Sequence, residues 1–320
     1  DFETIALIGL AIAIFSATQD IVLDAYRREI LDTDGELALG NALHVPAYRI
    51  SSLVPGSLGL VLADNISSEL NFTVMAAFMG LGVLLTLVID EPKNRAAAPE
   101  NLVRAITLPF QEFFSRRALG PALAVLSFMA LYKLGDSMAT ALATPFYLDQ
   151  GFTMTQIGVV AKHAALWPSI IGGLLGAVII IRIGINKALW AFGVVQLLTI
   201  FGFAWLAQLG PDLWALAAVI CAEYLGVGLG TSAYLAFIAR ETSRLAVATQ
   251  FALFTALASL PRVITSMLSG VIVAEVGWEH FFYASAVLAI PGMLLLVWVA
   301  PFNAPVVTAE SNQPESRNNV

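Results

Sequence analysis

The residues best able to do chemistry in this sequence are charged side chains inside long apolar stretches. A charge in hydrocarbon costs several kcal/mol unless it is paired or hydrated. We therefore expect these side chains to face a bundle interior or an aqueous pathway, where they could hold a proton or contact a polar solute. They are four acids and four bases, with His44 and His163 beside them: Asp20, Asp24, Asp136 and Glu223, and Arg49, Lys133, Lys162 and Arg262.

Two of the acids, Asp20 and Asp24, lie one helical turn apart. Neighbouring carboxylates repel each other and burial adds to the cost of charge, so one of the two is expected to bind and release a proton readily. Proton coupling requires such a group. Asp24 could instead pair with Arg28 at i,i+4, and Asp20 with Arg49 or another base, and the sequence leaves these alternatives open.

The other charges divide into a local pair and more distant groups. Lys133 and Asp136 are three residues apart, so on a helix they share a face and can neutralise each other. Glu223 has no base within one turn. Arg49 and Arg262 are its possible partners, and either could instead receive an anionic substrate as a bidentate donor.

The elements that hold these charges are predicted to be membrane helices. Hydrophobic residues make up 58% of the 320 residues and charged residues only 12%, against about 25% in soluble domains, and the mean hydropathy is +0.82. We predict an all-α, polytopic membrane helix bundle. Nine apolar windows are long enough to cross a bilayer: 4–27, 38–63, 71–89, 119–147, 155–181, 187–207, 213–239, 247–274 and 279–299.

Composition also disfavours several classes of function. A single cysteine, Cys221, excludes a disulfide framework, and the net charge of −7 offers no surface for nucleic acid. Cys221 and the three histidines lack the spacing of a nucleophile–base pair or a metal site, so an enzyme is disfavoured. We expect no cofactor, no bound metal and no nucleic-acid partner.

Basic residues predict the orientation in the membrane. Lys and Arg follow the first, third, fifth, seventh and ninth windows, whereas the loops at 64–70, 148–154, 208–212 and 275–278 have none. Short loops that carry Lys and Arg stay in the cytoplasm. Residue 1 is therefore expected on the periplasmic side and the C-terminus in the cytoplasm.

The windows also predict the domain organisation. Three windows precede a long basic segment and six follow it. The equal spacing of Arg27 to Arg49 and of Arg240 to Arg262 suggests an internal repeat, and such repeats place the substrate site at their interface. We predict four regions: the remainder of an N-terminal bundle at 1–89, a cytoplasmic amphipathic linker at 90–118, a C-terminal six-helix bundle at 119–300 and a disordered cytoplasmic tail at 301–320.

Six short segments carry a family resemblance: Phe15 to Arg27 (FSATQDIVLDAYR), Ala47-Tyr48-Arg49, Tyr132 to Asp136 (YKLGD), Gly228 to Ala233 (GLGTSA), Ala248 to Leu253 (ATQFAL) and Gly277-Trp278. In this order they resemble the AmpG-type muropeptide permeases. That group is a branch of the major facilitator superfamily that also includes acetyl-CoA transporters. The resemblance implies the superfamily bundle, with the first three of its twelve helices absent from this sequence.

The resemblance also implies a function and a set of site residues. It implies a monomeric importer in the bacterial inner membrane that carries GlcNAc-anhydroMurNAc and its peptides by proton symport. Such import serves peptidoglycan recycling and, indirectly, β-lactamase induction. Asp20 and Asp24 would couple protons. The substrate pathway would include Gln19, Arg49, Tyr132, Lys133, Asp136, Glu223, Gln250 and Arg262.

One departure and two alternatives accompany this interpretation. The C-terminal echo of the superfamily's gating motif, from Gly176 to Lys187, has Ile181 where an acid is usual. The alternatives are a superfamily transporter of acetyl-CoA or a sugar, and a membrane sensor that binds ligand without transporting it.

Overall fold

The computed structural model describes residues 2–29, 47–90, 107, 111–242 and 247–303, and these residues form helices without strands. The chain divides into two compact units, Asp1–Glu100 and Asn101–Val320. Across the described ranges, seven helical segments are long and apolar enough to cross a membrane: Glu3–Asp20, Ser68–Val88, Leu119–Asp149, Met154–Ile183, Ile185–Leu209, Leu213–Glu241 and Phe254–Val299.

These segments account for eight of the nine predicted windows. The windows at 247–274 and 279–299 correspond to two helices that meet at Gly277, where φ is 77° and ψ is 169°; the continuous segment is labelled α11 below. Glycine alone adopts this conformation without strain. The remaining window, 38–63, is described only from residue 47 onward, where the chain is helical.

The described residues of the first unit include the α-helices α1 (Phe2–Glu29), α2 (Gly59–Asn65) and α3 (Ser68–Val88), with a π-helical turn at Val54–Leu58 before α2. Asn71 is buried and its Nδ2 donates to the Gly59 carbonyl at 3.0 Å, which ties α3 to α2. Gly59 and Asn71 are the buried residues among the described side chains of this unit.

The second unit is an extensively packed bundle. Its α8 packs along α10, α9 also contacts α10, and α11 contacts α4, α5 and α9. The helices are α4 (Leu119–Leu131), α5 (Leu134–Ala141), α6 (Ala143–Asp149), α7 (Met154–Gln156), α8 (Lys162–Ile183), α9 (Ile185–Leu209), α10 (Leu213–Glu241) and α11 (Val247–Val299), with a π-helical segment at Ile157–Ala161.

Glycines set the close approach of α8 and α10. A Cβ on Gly228 would lie 2.8 Å from the Gly173 nitrogen and would overlap the Ser169 carbonyl, and one on Gly172 would overlap the Leu225 carbonyl. Small residues permit such contacts between membrane helices. Gly172 and Gly228 are therefore packing positions between α8 and α10, whereas a Cβ on Gly173 would face open space.

Aromatic side chains fill the bundle at both ends. Near one end, Phe128 packs edge-on against Phe237 with ring centroids 4.9 Å apart. Near the other, Phe146 contacts Phe282 at 4.9 Å, and Trp278 Nε1 donates to Asp149 Oδ2 at 3.0 Å. These contacts hold the ends of the helices, and therefore the polar groups between them, in fixed register.

The division between the two units falls inside the predicted 90–118 linker. Residues 91–106 and 108–110 of that linker lie outside the described residues, as do residues 304–320 of the predicted tail. Residues 111–115 are helical. The predicted domain boundaries stay predictions.

Candidate functional site

The first polar site lies where a membrane-spanning segment breaks. Helix α4 ends at Leu131 and α5 begins at Leu134, so Tyr132 and Lys133 stand between two helices, and Lys133 has φ −97° and ψ 8°. Asp136 lies in the first turn of α5, where the helix dipole favours a negative charge. Discontinuous helices of this kind present polar groups at membrane depth in transporters.

Lys133 and Asp136 form the ion pair that their spacing predicts. Lys133 Nζ lies 2.6 Å from Asp136 Oδ2, with 15% and 5% of the two side chains exposed. Lys133 Nζ also donates to Gln196 Oε1 at 3.1 Å. A Cβ on Gly230 would overlap the Gln196 amide, so this glycine makes the space in which Gln196 reaches the pair.

Glu223 completes a buried polar cluster, which we define as Lys133, Asp136, Gln196 and Glu223. Glu223 is fully buried and lies within electrostatic range of Lys133 and Asp136. Neither of its carboxylate oxygens has a hydrogen-bond partner of acceptable geometry. The Thr199 hydroxyl is close to it but donates to the Gln196 carbonyl at 3.0 Å.

The cluster leaves several polar atoms unsatisfied. Asp136 Oδ1, Gln196 Nε2 and both oxygens of Glu223 are buried without a hydrogen-bond partner in the described part of the chain. Such atoms usually bind water or another small species. Gln196 was missed at the level of sequence because it is uncharged, although an amide inside an otherwise apolar span was a usable signal.

Arg262 does not form the ion pair with Glu223 that the sequence left open. Its side chain is exposed, and no salt bridge joins the two residues, both of which are described. Arg262 borders a cleft of about 590 Å³ on one face of α11, together with Ser259, Val263, Ser266 and Met267. The Ser266 hydroxyl donates to the Arg262 carbonyl at 2.7 Å, and the exposed guanidinium of Arg262 lies at this cleft.

Tyr132 has a defined position in the core of the second unit. It is 5% exposed, its hydroxyl donates to the Leu189 carbonyl at 2.8 Å, and its ring stacks on that of Tyr234 with centroids 5.8 Å apart. These contacts fix the residue next to Lys133 in the break between α4 and α5. A direct contact of Tyr132 with substrate stays a prediction.

The predicted site residues of the first unit lie on α1 and the following helical segment. Gln19 and Asp20 are exposed on α1, and Arg49 is half-buried and takes part in an interaction of its own. The side chains of Asp24 and Arg28 lie outside the described residues, so the alternative Asp24–Arg28 pair is untested. The Gln250 side chain, in the second unit, also lies outside them.

Within the described residues, no group of three His, Cys, Asp or Glu side chains could hold a metal ion. Cys221 is a free, half-buried thiol on α10. The polar groups of the described residues thus suit binding and proton transfer: a buried ion pair, a buried carboxyl without a hydrogen-bond partner among the described residues and an exposed arginine at a cleft.

Comparison with known families decides how these groups are to be interpreted. Residues 1–265 match the model of the Major Facilitator Superfamily. The chain belongs to the Major Facilitator Superfamily. It therefore has the all-α bundle of that superfamily and is a multi-pass membrane transporter rather than an enzyme.

Within the superfamily, the chain is similar in sequence to several individual proteins. The chain is 50% identical over 307 residues to an uncharacterized protein of Haemophilus influenzae, an alignment that covers 93% of this chain and 72% of the relative. It is 35% identical over 294 residues to the anhydromuropeptide permease of Escherichia coli, covering 91% of this chain and 59% of that permease.

A third relative is the putative transporter AmpG 4 of Rickettsia felis, at 29% identity over 297 residues, covering 91% of this chain and 71% of the relative. The resemblance to AmpG-type permeases is thus confirmed over most of the chain. The chain spans about three-fifths of the length of the E. coli permease that it matches.

Proposed function

We propose that this protein imports anhydromuropeptides, GlcNAc-anhydroMurNAc and its peptides, across the bacterial inner membrane in symport with protons. The imported sugar-peptide would enter cell-wall recycling and, indirectly, influence β-lactamase induction. The protein would work as a monomer, with residue 1 on the periplasmic side and the C-terminus in the cytoplasm. The similarity to the E. coli anhydromuropeptide permease supports the choice of substrate.

The observation that carries the proposal is the exposed Arg262 beside its cleft on α11. A muropeptide offers carboxylates on its peptide and hydroxyl and amide groups on its sugars. A guanidinium binds a carboxylate with two parallel hydrogen bonds. The neighbouring Ser259 and Ser266 hydroxyls donate to helix carbonyls, so at the same face they can accept hydrogen bonds from sugar hydroxyl or amide groups. We assign Arg262 to substrate binding.

Asp20 is proposed as the proton-coupling carboxyl, together with Asp24. Asp20 lies on α1 beside Gln19 with no hydrogen bond or ion pair to any described residue, so its side chain is available to a proton or a solute. Gln19, Arg49 and Gln250 are proposed to contribute to the substrate pathway. The buried polar cluster, with Tyr132, is proposed to support the pathway from inside the second unit.

The test is uptake of labelled anhydromuropeptide by proteoliposomes that contain the complete protein, with and without an imposed inward proton gradient. We expect accumulation that depends on the gradient. If folded, correctly oriented protein does not accumulate the label, the substrate assignment is wrong. Acetyl-CoA and simple sugars would then be assayed next, and ligand binding without any uptake would indicate a sensor.

Two variants test the residue assignments in the same assay. Asp20→Asn should abolish accumulation against a gradient while sparing ligand binding, with Glu69→Gln, an exposed acid of the same unit, as the matched control. Arg262→Gln should weaken substrate binding by roughly tenfold or more, the value of one charge-assisted hydrogen bond. Full pH-dependent uptake by Asp20→Asn would remove the coupling assignment and leave the substrate assignment intact.

A further inference from the structure

A groove separate from the proposed substrate-binding residues opens at one end of the second unit. It has a volume of about 410 Å³ and lies where α4 begins and α11 ends. Gly120, Pro121 and Ala124 form one wall, Trp298 and Val299 form the other, and Arg117 stands at its mouth. A Cβ on Gly120 would meet nothing within 4 Å, so the space beside this wall is open.

The groove lies at the depth of lipid headgroups. Arg117 precedes the membrane-spanning segment that begins at Leu119, and Trp298 is next to the end of the segment that finishes at Val299. Trp298 is 71% exposed and Leu119 is 65% exposed. Exposed tryptophans gather at the membrane–water boundary, so the mouth of the groove meets headgroups and its apolar walls meet acyl chains.

The described charged residues at the mouth carry a net positive charge. Arg117 Nη2 pairs with Glu241, and Arg240 Nε lies 3.4 Å from the other oxygen of the same carboxylate. Two guanidinium groups thus share one carboxylate, which leaves one positive charge. The neighbouring Arg116 pairs with Glu112 at 2.9 Å, so within the described part of the chain the excess charge lies with Arg117 and Arg240.

Arg117 is held in place but keeps free donors. Its guanidinium stacks over the Phe113 ring at 5.8 Å from the centroid, and 33% of its side chain is exposed. An arginine carries five N–H donors, and the pair with Glu241 occupies only part of them. The amide groups of the first turn of α4 add to this field, because Ala118 offers no side-chain cap.

We propose that this groove binds an anionic phospholipid, with the phosphate at Arg117 and an acyl chain between the walls formed by Gly120 and Trp298. A basic residue at headgroup depth beside an apolar groove between helices recognises this chemistry. With the orientation proposed above, the lipid belongs to the cytoplasmic leaflet. The site is separate from the Arg262 cleft and does not depend on the identity of the transported substrate.

The test measures thermal unfolding of the complete, delipidated protein in detergent while phosphatidylglycerol or phosphatidylethanolamine with identical acyl chains is added. We expect phosphatidylglycerol to raise the unfolding midpoint at lower concentration than phosphatidylethanolamine. Arg117→Gln should raise the phosphatidylglycerol concentration for half-maximal stabilisation roughly fivefold, the worth of one basic residue near an anionic surface. Losing the Glu241 pair lowers the unfolding midpoint without lipid as well. The shift in midpoint that lipid causes within each variant therefore reports lipid binding alone.

Two pairs of matched variants test whether the lipid response is specific to this groove. Arg182→Gln removes an exposed arginine away from the groove and should leave the lipid response unchanged. Gly120→Leu fills the groove and keeps the ion pairs, so it should weaken the lipid response, whereas Gly173→Leu, at another open glycine, should not.

Three outcomes would overturn the proposal. Equal stabilisation by the two lipids would show that charge is not recognised. An equal loss in Arg117→Gln and Arg182→Gln would show a diffuse surface field, and full stabilisation by glycerol 3-phosphate alone would show that no acyl chain enters the groove.

Discussion

Helices α1 and α10 carry the same sequence signal in opposite surroundings. They have 28 and 29 residues, and each places an acid within an apolar run, Asp20 in α1 and Glu223 in α10. Asp20 is exposed, as are all described side chains of α1 from Glu3 to Asp20. Glu223 is fully buried beside the Lys133–Asp136 pair. An acid in an apolar helix therefore predicts a polar role, whereas neighbouring helices decide whether that role is structural.

This difference in burial predicts that a substitution at Glu223 mainly affects folding, whereas a substitution at Asp20 mainly affects transport. The energy of a buried ionisable side chain depends on the charged and polar groups packed around it, so replacing that side chain alters the free energy of unfolding. An exposed acid on α1 contributes little to folding, and changing it alters what the helix can bind. Surface substitutions away from special features stay within about 0.5 kcal/mol, and we expect that value for the stability of Asp20→Asn.

The largest expected effect comes from breaking the buried ion pair. Lys133→Gln removes the cation from Asp136, which is 5% exposed, and leaves a buried carboxylate uncompensated. We expect a loss of about 3–5 kcal/mol in the free energy of unfolding, measured by denaturant unfolding in detergent. Lys187→Gln, which removes a lysine over the Phe302 ring at a helix end, should cost less than about 1 kcal/mol.

Exchanging the two residues sharpens this test. Lys133→Asp combined with Asp136→Lys keeps both charges on one helix face, so folding and much of the transport activity should return. Restored folding with lost substrate binding would show that the pair also contacts the substrate. Stability of Lys133→Gln equal to the unchanged protein would contradict a structural role.

A smaller effect is expected at the glycines that join α8 and α10. Gly228→Ala places a methyl group against the Ser169 carbonyl and the Gly173 nitrogen, and overpacking of this kind costs about 1–3 kcal/mol. Gly80→Ala on α3 is the matched control, because a Cβ there meets nothing within 4 Å. We expect the control to change stability by no more than about 1 kcal/mol. Equal midpoints in thermal unfolding would remove the packing contrast between the units.

The smallest effect is expected at the N-cap residues of two helices, Asp212 before α10 and Ser67 before α3. Asp212 accepts hydrogen bonds from the amides of Trp214 and Ala215 at 2.8 and 2.9 Å, so Asp212→Ala should cost about 1 kcal/mol. Ser67 caps α3 through one longer bond, 3.4 Å from the Leu70 amide, and Ser67→Ala should cost less. Asp212→Asn keeps the cap and serves as control. A larger loss at Ser67 than at Asp212 would contradict the order.

Features set by local spacing could be predicted from the sequence. Apolar length located the spans, because a helix must match the thickness of the bilayer. The i,i+3 spacing of Lys133 and Asp136 predicted their pair. Each of these depends on one helix.

Features set by the rotation of a helix about its axis could not be predicted. Counting acids and bases suggested Arg262 as a partner for Glu223, but Arg262 is exposed and forms no salt bridge with Glu223. The break at Tyr132 and Lys133 carries no proline. Gln196 reaches the buried polar cluster because Gly230 on another helix leaves room for its amide. A single segment of sequence does not reveal such a contact between helices.

The near-absence of a loop at Gly277 has a consequence for biogenesis. The helices on either side of Gly277 meet at one residue with positive φ, and Trp278 directly after it is anchored to Asp149. Because the turn is so short, the first helix cannot cross the bilayer while the second remains outside the membrane. The two halves of α11 must enter the membrane together as a helical hairpin, which commits the C-terminal end of the chain to its side of the membrane in one step.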